Sequence, residues 1–217
     1  MNKRAIVIAT AVVAVCGFAV AGYIYNRSAA DRNVVSAIPD GGTNLIRPLS
    51  PVMGPENARV TIVEFFDPAC ESCRAFYPVV KQIMAEHPKN VRLVLRYTPR
   101  HEGSDEAVRI LETARLQGVF QSVLEALLAA QTVWASHSAP DLTKAWAAAR
   151  AAGLDEERAK QEMSLPSITA LLNQDIADAK AVKVRGTPTF FVNGKPLPSF
   201  GRRQLEELVR SEVVASN

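Results

Sequence analysis

Apolar and polar positions divide the chain into stretches of clearly different period. The first is a run without charge, "AIVIATAVVAVCGFAVAGYIY" over residues 5–25, behind the basic start "MNKR". About 20 apolar residues in a helix cross the hydrocarbon layer, and Tyr23 and Tyr25 stand at the far end, where amphipathic rings favour the interface. The reading is a single-pass anchor with residues 1–4 cytoplasmic and everything after residue 26 outside. The rival is a cleaved signal peptide, for which Ala19-Val20-Ala21 supplies a small-x-small site. Residues 26–57, rich in Asn, Ser, Gly and Pro, read as a linker with a short edge strand near 44–49.

Beyond residue 58 the periods sharpen. "RVTIVEFF" (59–66) is short, β-branched and apolar on both alternating faces, as a strand buried on both sides of a sheet is. Residues 70–87 carry an apolar stripe at helical spacing (Phe76, Val79, Val80, Ile83, Met84), with Pro78 inside it expected to kink the helix. "VRLVLRY" (91–97) is a second strand. From 104 to 183 every pattern is helical. Ser104 is expected to cap a run with apolar recurrence from 107 to 128, and Ser138 a helix ending near Gly153. Asp155 opens a helix to about 164, and Ser167 one to about 182. Strand character returns in "TPTFFVNG" (187–194), whose Asn193-Gly194 signals a hairpin into "KPLPSF", and a helix over 202–214 follows.

With 217 residues, 48% of them apolar and 22% charged, the chain holds a conventional core. Its net charge of +3 is spread thinly, with no basic patch interleaved with aromatics, so nucleic acid is not an expected partner. Three cysteines are too few for a disulfide-built scaffold. Cys16 lies within the apolar span, and Val15 before it is a poor fit to an acylation site. That leaves Cys70 and Cys73, three positions apart, between a strand and a helix. Structural zinc needs four ligands, and His87, His101 and His137 have no ligand spacing, so no metal site is expected. Two-coordinate copper(I) is the metal alternative that two thiols leave open. A purely structural bridge over so short a loop would restrict the unfolded chain little.

A redox pair fits the position better. A thiolate at a helix N-terminus meets free N–H groups and the positive end of the helix dipole, which lower its pKa. Cys70 stands there as the nucleophile, and Cys73, one turn further in, as the thiol that resolves a mixed disulfide. Glu64 interrupts the most apolar strand on the face of Val60, Ile62 and Phe66. A buried carboxylate is costly unless it has a partner or a task, and here the task would be to take and return the Cys73 proton. Pro188, heading a strand in "GTP", cannot donate to the ladder, so the backbone at Thr187 is a candidate to pair with an extended substrate.

"VEFFDPACESC" together with "GTPTFFVNG" resembles the DsbA-like thiol:disulfide oxidoreductases of the thioredoxin superfamily, over residues 59–214. The resemblance implies an α/β thioredoxin fold over 58–217 with a helical insertion at about 102–183. Glu64 then matches the family's buried acid, Cys70 and Cys73 its redox pair, Pro188 its cis-proline and Pro78 its helix kink. It further implies exported protein substrates and an envelope redox partner, either a quinone-linked oxidase or a thiol reductant. No cofactor is expected, because the electrons reside in the cysteine pair. The departure lies in Glu71-Ser72, where strongly oxidising members carry Pro-His. A carboxylate beside the thiolate should oppose its charge and raise the Cys70 pKa. Whether the pair oxidises, reduces or isomerises is left open by these residues, with isomerase last because 26–57 is short for a dimerisation module.

Overall fold

A computed structural model describes residues 44–216 of the chain, which lie in one compact unit. The expected membrane span and the first part of the linker fall outside the described residues. The centre is a five-stranded mixed sheet of β1 (Val52–Met53), β2 (Val60–Phe66), β3 (Val91–Tyr97), β4 (Thr189–Val192) and β5 (Lys195–Pro196), in the order β1-β3-β2-β4-β5. β2 pairs parallel to β3 and antiparallel to β4, placing Glu64 opposite Leu95 on one side and Phe190 on the other. All seven residues of β2 are buried, as its unbroken apolar character predicts. The edge strand β1 pairs with β3 at residues 52–53, not near 44–49 as expected. Leu45 is buried against Val63, Phe65 and Val94, so folded chain begins before residue 57.

Helix α1 (Glu71–Glu86) follows β2 directly, buries Cys73, Tyr77, Val80 and Ile83, and continues through the exposed Pro78. Tyr77 completes a stripe on which Phe76, Val79 and Met84 are only partly buried. Between β3 and β4 run six helices: α2 (Ser104–Leu116), α3 (Phe120–Ala129), α4 (Gln131–Trp134), α5 (Leu142–Ala151), α6 (Glu156–Glu162) and α7 (Pro166–Ala181). The first five pack mainly on one another, while α7 returns to β3. The apolar run from 107 to 128 is broken at Gly118, whose φ of 75° is left-handed and suits glycine. Two expected caps are displaced. Ser104 is the first residue of α2 and its hydroxyl donates to Asp67, while Asp141, not Ser138, precedes α5. Pro166 opens α7 one residue before Ser167, a position where its missing N–H costs nothing. Asp155 caps α6 as expected, its side chain accepting from the Arg158 N–H. The last helix, α8 (Arg202–Ala215), lies with α1 against the Glu64 face of the sheet.

The opposite face holds a buried charge cluster that pins α7 to the sheet. Arg96, fully buried on β3, donates to Asp175 Oδ1 at 2.8 Å and to Asp178 Oδ2 at 2.6 Å. Arg47 donates to the same Asp178, and Asp175 Oδ2 accepts from the Tyr97 N–H at 2.7 Å. Burial of a guanidinium is tolerated here because two carboxylates and the Asn44 carbonyl satisfy it.

Candidate active site

The strand-to-helix corner is a tight turn built on Asp67. This carboxylate is fully buried and accepts from the Ala69, Arg100 and His101 N–H groups, from the Ser104 hydroxyl, and from His101 Nδ1 at 2.7 Å. It thus ties the end of β2 to the loop after β3 and to the start of α2. Its own N–H donates to Cys73 Sγ at 3.5 Å. Cys70 stands at the N-cap of α1 with extended backbone, Cys73 one turn inside, and both thiols are free.

The two sulfurs occupy unlike surroundings. Cys70 keeps 7% of its surface exposed, and its thiol donates to the Thr187 carbonyl at 3.2 Å. A hydrogen bond from the Cys73 thiol, aided by the Thr187 side chain and the N–H groups of Cys73 and Ser72, pulls Cys70 down to about 5 against the opposing effect of burial. Cys73 is wholly buried and is pushed far above an ordinary thiol, first by burial, then by its bond to Cys70 and by the Glu64 charge. Glu64 is buried on the central strand, and neither of its carboxyl oxygens has a hydrogen-bond partner. Burial, with a contribution from the Cys70 charge, raises it to about 8, so at neutral pH it is mostly a carboxylic acid.

The Thr187–Pro188 peptide bond is cis, with Pro188 buried beside the Cys70 sulfur's partner, Thr187. A groove of about 360 Å³ opens along this edge, lined among others by Ser72, Thr187, Pro188, Phe190, Leu197 and Phe200. Its wall is aromatic: Phe76 stacks on Phe200 at 4.6 Å and on Phe190 at 5.6 Å, while Phe200 remains 58% exposed. Glu71 points into solvent with its carboxylate 3.6 Å from His137 Nε2. The opposition expected of it is outweighed, since water screens an exposed charge and the helix-turn donors act on the sulfur directly.

The structure therefore brings Cys70, Cys73, Glu64, Thr187, Pro188 and Ser72 to one corner and turns Glu71 away from it. Sequence reasoning missed Asp67 and Gln131. Asp67 had a local signal, since Asp before Pro favours a turn in which the side chain bonds the backbone two residues on. Gln131 had none. Its Nε2 donates to the Pro68 carbonyl at 2.8 Å and to the Cys70 carbonyl at 3.0 Å from the start of α4. Among the described residues, no group of three or more His, Cys, Asp or Glu side chains is placed to hold a metal ion.

Comparison with known proteins gives the same corner a context. The profile of the thioredoxin family matches residues 47–210. A thioredoxin-like oxidoreductase from Silicibacter pomeroyi DSS-3 is 34% identical and superposes with a TM-score of 0.68, over 78% of this chain and 96% of that one. The thiol-disulfide exchange protein alpha-DsbA2 from Wolbachia pipientis shares the fold at 18% identity, with a TM-score of 0.67 over 84% and 97% of the two chains. Among curated proteins, the Na(+)/H(+) antiporter NhaA of Herminiimonas arsenicoxydans is 31% identical over 146 residues, 67% of this chain but 22% of that protein. The chain spans about a quarter of the length of the curated relatives it matches, and ion exchange is a property of those longer proteins.

Proposed function

The chain belongs to the thioredoxin family, and from that premise we propose that it is a DsbA-like thiol:disulfide oxidoreductase that oxidises exported protein clients through Cys70 and Cys73. The observation that carries the reading is the placement of the two thiols: Cys70 at the helix N-cap, slightly exposed and against Thr187 of the cis peptide, and Cys73 one turn inside and wholly buried, an arrangement that holds Cys70 down to about 5 and pushes Cys73 up. A stabilised Cys70 thiolate favours the reduced pair, which makes the disulfide an oxidant.

The exchange balances as follows. A client thiolate attacks Cys70 Sγ of the oxidised pair, the Cys70–Cys73 bond breaks, and its electron pair leaves on Cys73. Glu64, protonated at neutral pH, is the acid that delivers a proton to this buried sulfur. A second client thiolate then attacks the client sulfur of the mixed disulfide and expels Cys70, a good leaving group because its thiolate is stable. The client loses two electrons and two protons. One proton ends on Cys73, with Glu64 recharged from solvent, and the other stays in solvent. An envelope oxidant, of the quinone-linked kind, takes the two electrons back; a thiol reductant in its place would drive the cycle the other way. The Thr187 backbone and the aromatic groove are the surfaces on which the client chain would lie. Residues 5–25 would hold the domain on the periplasmic side of the inner membrane.

The test is trapping. Cys73→Ala should accumulate mixed disulfides with client proteins through Cys70: its thiolate still attacks client disulfides, the reverse of the second step above, and Cys73 is no longer there to release the client. Cys70→Ala should trap almost none, and equal trapping by both variants would contradict the assigned order.

A further inference from the structure

We propose that Gln131, carried by the helical insertion, is a positioning residue that anchors the active-site turn through two of its carbonyls and thereby sets the redox poise of the cysteine pair. The inference rests on the reading of Cys70 as the nucleophile. Gln131 opens α4 and is 2% exposed. Both protons of its amide are spent on the turn, one on the Pro68 carbonyl at 2.8 Å and one on the Cys70 carbonyl at 3.0 Å. Its own oxygen is buried without a partner. An orphaned buried acceptor is costly, and an apolar residue of similar size would avoid that cost. The reverse orientation of the amide would set its oxygen against two carbonyl oxygens. The side chain is therefore useful here only as a double donor.

The consequence for the sulfur follows from where those carbonyls sit. The turn from Asp67 to Cys70 is closed by the Cys70 N–H on the Asp67 carbonyl and by the Ala69 N–H on the Asp67 side chain. These bonds hold the turn from the strand side only. Gln131 holds it from the other side, and it does so at the residue whose sulfur must accept the N–H groups of Ser72 and Cys73. The two carbonyls are the negative ends of peptide dipoles on the segment that bears the thiolate, and an amide donor offsets them. Without it, the turn is free to rotate its N–H groups off the sulfur, the Pro68 carbonyl loses its donor, and the Cys70 carbonyl keeps only the Arg74 N–H. These changes destabilise the charged form of Cys70. No other helix of the insertion donates to this turn except α2, through Ser104 to Asp67, so α4 and α2 together are the means by which the insertion acts on the pair.

The experiment uses the full chain and its Gln131→Met and Gln131→Glu variants. Methionine keeps the bulk and removes both donors; glutamate keeps the shape and replaces the donor nitrogen with oxygen. Each is read by the pH dependence of thiolate absorbance, by equilibration with glutathione, and by urea denaturation for stability. Gln131→Met should raise the Cys70 pKa by about one unit, tenfold in thiolate stability. The equilibrium should shift by the same factor toward the disulfide, about 30 mV for a two-electron couple. Gln131→Glu should shift both further in the same direction, since its carboxylate adds a like charge. Trp134→Phe, which removes from the same short helix the indole donor to the Leu127 carbonyl and part of a fully buried side chain, is the control for general loosening and should leave both quantities in place. A wild-type Cys70 near 5 that neither Gln131 variant moves, or an equal shift in Trp134→Phe, overturns the role of Gln131 alone. A wild-type Cys70 that titrates as an ordinary thiol removes the parent reading, and this inference with it.

Discussion

Replacing Glu64 by glutamine should stabilise the reduced protein, and by an amount that grows with pH. The carboxyl titrates near 8 in the fold against an ordinary 4.5, because burial disfavours its charge and the Cys70 thiolate adds to the effect. A folded state that holds a proton the unfolded state has released loses about 1.36 kcal/mol for each pH unit between the two values. The sign is that of a raised pKa. The wild type bears no such cost below pH 4.5, loses stability as pH rises through 8, and loses nothing further above it. Relative to its own value at low pH, the advantage of Glu64→Gln should be less than about 1 kcal/mol at pH 5, about 3 at pH 7 and close to 5 at pH 9. The amide has its own unsatisfied groups, which add an offset that pH does not change. Cys70 is present in both proteins, so its own titration cancels in the difference. Urea denaturation of the reduced proteins at pH 5, 7 and 9 gives the three values. In the oxidised proteins, where the Cys70 charge is absent, the spread should narrow. Parallel stability curves from pH 5 to 9 would refute the reasoning, for they would mean that Glu64 is not held protonated by its surroundings. In exchange assays the same variant should be slow, because an amide has no proton to give Cys73.

Two further outcomes follow from the charges around the site. Glu71→Gln should lower the Cys70 pKa by less than about half a unit in a thiolate titration, because its exposed carboxylate is screened by water. Arg96→Met should cost about 3–5 kcal/mol in urea denaturation, because it leaves Asp175 and Asp178 buried without their shared cation.

The parts of this fold that local pattern dictates were open to reading from the sequence. β3 runs over the seven residues that alternate and branch, and the Asn193-Gly194 turn has positive φ at both positions, 47° and 82°, as that dipeptide predicts. Glu64 was conspicuous because a carboxylate in an otherwise apolar strand has no local explanation. What stayed hidden depends on contacts between distant segments. Gln131 looks like any polar residue between two helical turns, and its meaning comes from a turn 61 residues earlier in the chain. Arg96 reads as the polar member of a strand, yet it is wholly buried because α7 brings two aspartates over it. Ser104 has the signature of a cap, yet it is the first helical residue, and its hydroxyl donates to the buried Asp67 carboxylate instead of accepting a backbone N–H at the helix end.

The reduction potential of the Cys70–Cys73 pair decides whether its disulfide is an oxidant. It is read by equilibrating the protein in graded mixtures of reduced and oxidised glutathione and trapping the free thiols with acid. A Cys70 thiolate stabilised to a pKa of about 5 predicts an oxidising potential, less negative than the roughly −180 mV of protein disulfide isomerase and so on the DsbA side of it. A potential at or below that of thioredoxin, about −270 mV, or a pair that forms no disulfide in any mixture, would contradict the account.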